Sequence, residues 1–199
     1  MSDGQTTAEL PALEGTTAVI ENWLRVLGEG DVEAACQARD ELIRHSKRRM
    51  EALCRRMFFN SLSARPVDVD DVYQESALRL WKSLSAVQPG SAKDFFGLAA
   101  QQIRRVLIDF ARKYAHSLPV ALGDGQTPAF DPASLEIWTR FHEEVETLPE
   151  DLKEVVELLW YHELTQEEAA GLLDVDKSTV KRRWRRARTQ LVLRLHGCI

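Results

Sequence analysis

Apolar residues recur every three or four positions along nearly the whole chain, and strict apolar–polar alternation never appears, so the pattern predicts helices throughout. From Thr17, the residues Val19, Ile20, Trp23, Leu24 and Leu27 share one helical face, and Gly28 with Gly30 predicts its end. Residues 31–58 continue the pattern through Ala34, Ala35, Leu42, Ile43, Met50, Leu53, Cys54 and Met57, and Pro66 marks 59–69 as a turn. Residues 68–84 read as an amphipathic helix with Asp70 or Asp71 as cap and with Val72, Leu80, Trp81 and Leu84 facing inward. A loop at 85–94 leads to a long helix at 94–115, with Phe95, Phe96, Phe110 and Tyr114 as core. Residues 117–133 hold three of the chain's seven prolines and no helical period, which predicts a flexible linker. Further helices follow, one opened by Pro149, Glu150 and Asp151 as suits the positive end of a helix dipole. The fold class expected is all-α: a disordered tail (1–16), an N-terminal helical bundle (17–116), a linker (117–134) and a small C-terminal helical domain (135–199).

Composition changes this picture little. With 44% hydrophobic residues in 199, the chain has enough apolar surface for packed cores, and wholesale disorder is excluded. No apolar run reaches the ~18 residues of a spanning helix, and the polar start MSDGQTTAEL is neither signal nor anchor, so a cytoplasmic protein with no membrane partner is expected. Cys36, Cys54 and Cys198 are far apart and odd in number, which encodes neither a disulfide framework nor a zinc knuckle.

Charge matters more. The net charge of −5 conceals a split. Residues 135–176 hold thirteen acids and two bases, whereas 177–199 hold eight Lys and Arg and no acid. A cluster of that kind is the electrostatic footprint of a nucleic-acid contact, and the acids beside it would keep every other face away from DNA.

The most specific local pattern is LTQEEAAGLLDVDKSTVKRRWRRARTQL at 164–191. Thr165 with Glu168 spells a capping box, and Ala169, Ala170 and Leu173 form the inner face of the short helix it opens. After a turn, Asp176 is a second N-cap, and Val180, Trp184, Ala187 and Leu191 make one apolar stripe. Lys177, Ser178, Thr179, Lys181, Arg182, Arg183, Arg185 and Arg186 are left for the duplex. This is a helix-turn-helix, in which the second helix enters the major groove and its first residues meet base edges. Arg183, Arg186 and Arg188 suit phosphates.

Three stretches together resemble a known family. DVDDVYQESALRLWKSL resembles the polymerase-binding helix of bacterial sigma factors of the extracytoplasmic-function (ECF) type, with Asp71, Gln74, Glu75 and Trp81 matching its pattern. DFFGLAAQQIRRVLIDFARKYA is similar to that family's promoter-melting helix through Ile108, Asp109, Ala111 and Arg112, and 148–188 resembles its second DNA-binding domain, with Asp174 where a turn glycine is usual. The resemblance implies a sigma factor that binds core RNA polymerase and directs promoter recognition, melting and initiation. Asp71, Gln74, Glu75 and Arg79 would dock on the clamp helices of the largest polymerase subunit, and the C-terminal domain on the flap of the second. Lys93, Gln101, Arg104 and Arg105, on an exposed helix face, would hold the single-stranded minus-ten element, and the linker, carrying Asp124 and Asp131, would thread the polymerase channels. The C-terminal domain would read the minus-thirty-five element. The partners implied are core polymerase, promoter DNA and, for some members, an anti-sigma factor.

Two other readings compete. A stand-alone helix-turn-helix regulator with an N-terminal sensing or dimerising domain predicts palindromic sites, but no heptad seam supports it. An enzyme is disfavoured: His45, His116, His142, His162 and His196 are scattered, and neither a nucleophile elbow, a phosphate loop nor a paired-histidine motif occurs. No cofactor, metal site or small-molecule substrate is indicated.

Overall fold

The computed structural model describes residues 13–59, 69–121 and 132–196. Among them it is helical with no strand. The expected disordered tail (1–16), the turn around Pro66 and the centre of the linker with Asp124 and Asp131 fall largely outside the described residues.

Four helices form the N-terminal unit: α1 (Leu13–Glu29), α2 (Val32–Phe59), α3 (Val69–Ala86) and α4 (Ala92–Ala121). The first helix begins four residues before Thr17, the expected start. It ends where the glycines predict. The Gly30 amide closes the last turn on the Val26 carbonyl at 2.8 Å, and a Cβ there would stand 2.6 Å from that oxygen, so no larger residue fits. Asp31 then caps α2 by accepting the Ala34 amide at 2.9 Å. The helix α4 is opened by Ser91, whose hydroxyl oxygen accepts the Asp94 amide at 3.2 Å. It runs past Pro119, into the expected linker.

Successive helices pack against one another around Ile20, Leu24, Leu42, Met50, Leu53, Val72, Leu80, Phe95, Phe96 and Ile103, all buried. Burying each such side chain contributes about 1.5–3 kcal/mol. The C-terminal unit contains α5 (Pro132–Glu146), α6 (Glu150–Val156), α7 (Gln166–Leu173) and α8 (Lys177–His196). α6 continues directly into a π turn, Glu157–Tyr161, closed by the His162 amide on the Glu157 carbonyl at 3.1 Å.

The two units are not separate bodies. α4 packs on α5, on the π turn and on α7, and one hydrophobic core runs through both units. At the seam the His162 Nε2–H donates to the Phe96 carbonyl at 2.7 Å, a direction fixed because a carbonyl only accepts.

Candidate nucleic-acid interface

The helix-turn-helix is built as its caps require. Thr165 Oγ1 accepts the Glu168 amide at 3.3 Å, and the Glu168 carboxylate accepts the Thr165 amide at 2.6 Å, so two orphan donors are satisfied reciprocally. Asp174 ends α7 in the left-handed region at φ 49°, ψ 47°, and its amide and that of Val175 both return to the Ala170 carbonyl. Aspartate replaces glycine there at modest strain, because its short polar side chain tolerates left-handed backbone.

Asp176 opens α8. Its carboxylate accepts the Thr179 amide and the Thr179 hydroxyl, both at 2.9 Å, and also the Ser178 hydroxyl. These bonds, that from Ser178 first, hold its carboxyl well below the usual carboxylate range. Val180, Ala187 and Leu191 are buried and Trp184 packs half-buried against the same core, so the apolar stripe is as expected. The opposite side presents Lys181, Arg182, Arg185 and Arg186, all exposed. They form a continuous basic face one helical turn apart.

The other residues assigned to that face have partners within the chain. Arg183 is half-buried and turned to Asp151 of α6, at 3.5 Å. Lys177 pairs with Glu167 of α7, and Ser178 and Thr179 spend their hydroxyls on Asp176. Lys177 and Ser178 remain exposed at the start of α8.

On α3, Asp71 and Gln74 are exposed while Glu75 and Arg79 are half-buried. Arg79 Nε donates to Glu75 Oε1 and a terminal nitrogen to Asp109 Oδ2, both at 2.7 Å, which ties α3 to α4. Hydrogen bonds to Asp109 and then Glu75 raise its pKa further above neutrality. Trp81 was expected inside. It lies half-buried at the seam with α2, donating to Asp40 Oδ1 at 3.1 Å beneath the Arg39 guanidinium.

The basic stripe of α4 departs most from expectation. Arg104 was expected on an exposed face, but its side chain is 0% exposed. Its Nε donates to Glu146 Oε1 of α5 at 2.8 Å, a terminal nitrogen to Glu157 Oε1 of the π turn at 3.0 Å, and its guanidinium carbon stands 5.2 Å from the Tyr161 ring centroid. Burial works against its charge, yet Tyr161, Glu157 and Glu146 more than offset it, so its pKa is raised. Lys93 pairs with Glu154 of α6 at 3.0 Å, and Gln101, on the same stripe, is half-buried. Of the four residues assigned to the melted strand, only Arg105 is exposed.

The reason is that a helical stripe of Lys and Arg is satisfied equally by water and by carboxylates of a docked neighbour. Glu157 carried a signal that could have told the two apart. It is an acid inside the apolar run VVELLWY, where a charge needs a buried partner. Burial pushes its carboxyl up, with Arg104 pulling the other way.

Among the described residues no group of His, Cys, Asp and Glu could hold a metal ion, and no helix is long and apolar enough to cross a membrane.

Fold and site together define a two-unit helix-turn-helix protein. Residues 42–117 match the family model of Sigma-70 region 2, and residues 138–191 that of Sigma-70, region 4. The chain is 30% identical to the ECF RNA polymerase sigma factor EcfG of Rhodopseudomonas palustris over 145 residues, covering 68% of this chain and 76% of that protein. It is 28% identical to the ECF RNA polymerase sigma factor SigE of Mycolicibacterium smegmatis over 167 residues, 80% of this chain and 62% of that relative. The chain thus spans about three fifths of the length of SigE. A solved structure of CnrH in complex with the cytosolic domain of CnrY aligns over 91% of this chain and 99% of that one, at 19% identity and a TM-score of 0.39. The chain belongs to the ECF sigma factors of the sigma-70 family.

Proposed function

We propose that this protein acts in the cytoplasm as a promoter-specificity subunit, binding core RNA polymerase and directing promoter recognition, melting and transcription initiation. The observation that carries the reading is the α8 face. Lys181, Arg182, Arg185 and Arg186 project to solvent from a helix opened by the Asp176 cap and braced by the capped α7. In that geometry α8 lies in the major groove of the minus-thirty-five element, where Arg or Lys bidentate to guanine O6 and N7 discriminates by about 1–3 kcal/mol per contact. Asp71, Gln74, Glu75 and Arg79 of α3 take the polymerase clamp, and Lys93, Gln101, Arg104 and Arg105 of α4 take the melted strand.

Co-elution with bacterial core polymerase tests this, with wild type beside the Gln74→Ala, Glu75→Lys double variant. Co-elution is expected for wild type and lost in the variant, followed by run-off transcription from a matched promoter. A folded wild type that ignores core polymerase and binds a palindromic duplex alone would instead establish the stand-alone regulator.

A further inference from the structure

Residues 44–56 hold six Lys and Arg against one acid, Glu51, in a chain whose net charge is −5. None of the residues assigned to the polymerase, the melted strand or the minus-thirty-five element lies in this half of α2. Arg44, Lys47 and Arg48 are exposed, and spacings of three and four place Lys47 and Arg48 beside Arg44 on one side of the helix. Two of these cations have carboxylate neighbours on α2 itself: Arg44 pairs with Glu41, and Lys47 with Glu51 at 3.6 Å. In both pairs the acid lies inward and the base outward. The side chains of Arg44 and Lys47 are 67% and 54% exposed, those of Glu41 and Glu51 only 15% and 24%. A ligand approaching this side meets guanidinium and ammonium groups before any carboxylate. Surface pairs of this kind are weakly held, because water and salt screen them, so a phosphate replaces the carboxylate at little cost. Burial and then Arg44 hold His45 below its usual pKa, and the second cause marks a locally positive field.

The rings beside the patch distinguish a single strand from a duplex. Lys47 Nζ stands 5.5 Å from the Tyr73 ring centroid, and the Arg49 guanidinium carbon 5.9 Å from that of Phe96. Tyr73 is half-buried and Phe96 buried, so neither offers an open face to a base, and stacking on such faces supplies much of single-strand affinity. What remains is charge, and a duplex presents the denser array, one phosphate per about 1.7 Å of its axis.

We propose that Arg44, Lys47 and Arg48 of α2 form a duplex-DNA contact separate from α8, one that grips phosphates and reads no sequence. It needs neither a promoter element nor polymerase, so it stands or falls apart from the sigma-factor reading. Three phosphate contacts at about 0.9 each contribute about 2.7 to the salt slope of duplex binding, or about fortyfold in affinity between 50 and 200 mM salt.

The test uses the full chain carrying Arg44→Gln, Lys47→Gln and Arg48→Gln. Glutamine keeps part of the stem and an amide donor for Glu41 and Glu51, and thermal melts followed by circular dichroism check the fold. A control, Arg25→Gln with Lys82→Gln and Lys113→Gln, removes the same charge from exposed positions of α1, α3 and α4. Fluorescence anisotropy over a salt series reads binding to a labelled mixed-sequence duplex and to one of its strands. The α2 variant is expected to lower the duplex salt slope by about 2.7, and the control to leave it at the wild-type value. Equal losses in variant and control would trace the effect to net charge and overturn the contact. A larger loss on the single strand than on the duplex overturns the duplex assignment. So does a wild type that leaves the duplex unbound at low salt but binds polyglutamate through the same three residues, which would give the surface to an acidic protein partner. Where the triple variant melts below the control, Arg48→Gln alone, which leaves the Glu41 and Glu51 pairs intact, carries the test with an expected fall of about 0.9, and an unchanged slope overturns the contact.

Discussion

Substituting Arg104 with methionine probes the seam most directly, because the structure fixes both the partners and the escape routes. Arg104 is 0% exposed and Glu157 6%, so methionine leaves a carboxylate stranded out of water. Breaking one partner of a buried pair typically costs about 3–5 kcal/mol. Glu146 adds little, since at 37% exposure its contact with Arg104 is largely screened, within about 1 kcal/mol. Two routes can relieve the stranded charge. Glu157 can take up a proton, which burial already favours, or the two units can separate and return it to water. The second route caps the loss at the free energy of docking. Arg104→Met is therefore expected to lower stability by up to about 3 kcal/mol, which for a chain of this size is about 6–12 °C in Tm. Arg104→Met with Glu157→Leu should recover all but about 1 kcal/mol, because no buried charge is left unpaired. The assay is urea unfolding followed by two probes, far-UV circular dichroism and the fluorescence of Trp138 and Trp160, which pack 6.1 Å apart beside His142. Where undocking precedes unfolding the two transitions separate. Single variants within about 0.5 kcal/mol of wild type, additive in the double and with coincident transitions, would show that Arg104 is not buried in solution and refute the reasoning.

Two further outcomes follow from the same geometry. Burial lowers His142 to about 3 and His162 to about 4, from an ordinary 6.5, so both are neutral in the folded chain. The unfolded chain binds protons first as pH falls below 6.5, so each histidine withdraws about 2 kcal/mol of stability by pH 5. His162→Gln keeps a donor for the Phe96 carbonyl and should halve the slope of stability between pH 7 and pH 5; an unchanged slope in denaturant titrations would remove this account. At the helix-turn-helix, Asp174→Ala should cost about 1 kcal/mol through its left-handed backbone, whereas Asp174→Gly stays within about 0.5 kcal/mol of wild type. Thermal melts decide it, and equal costs for the two would show that φ is not the cause.

Local structure was legible in the sequence wherever a chemical signal decided it alone. The Thr165–Glu168 box, the Asp176 cap and the Val180–Trp184–Ala187–Leu191 stripe are each set within one or two turns, and the structure forms all three. Gly30 ended α1 for the same reason. The α4 stripe was not legible, because the periodicity of Lys93, Gln101 and Arg104 shows only that they share a side of the helix. What covers that side depends on residues some forty to sixty positions away. The dense acids of 135–176 admit two uses, repelling DNA from the wrong face or neutralising a basic helix in the same chain. The sequence pattern supports the first, and Glu143, Glu146, Glu154 and Glu157 are spent on the second.

These two uses of one acidic segment have a shared energetic consequence. Carboxylates tethered to α4 by a short connection compete for its cations at an effective concentration on the order of millimolar. On the proposed function, a free single strand must displace them before its own contacts count, whereas a duplex approaching α8 meets no such competitor.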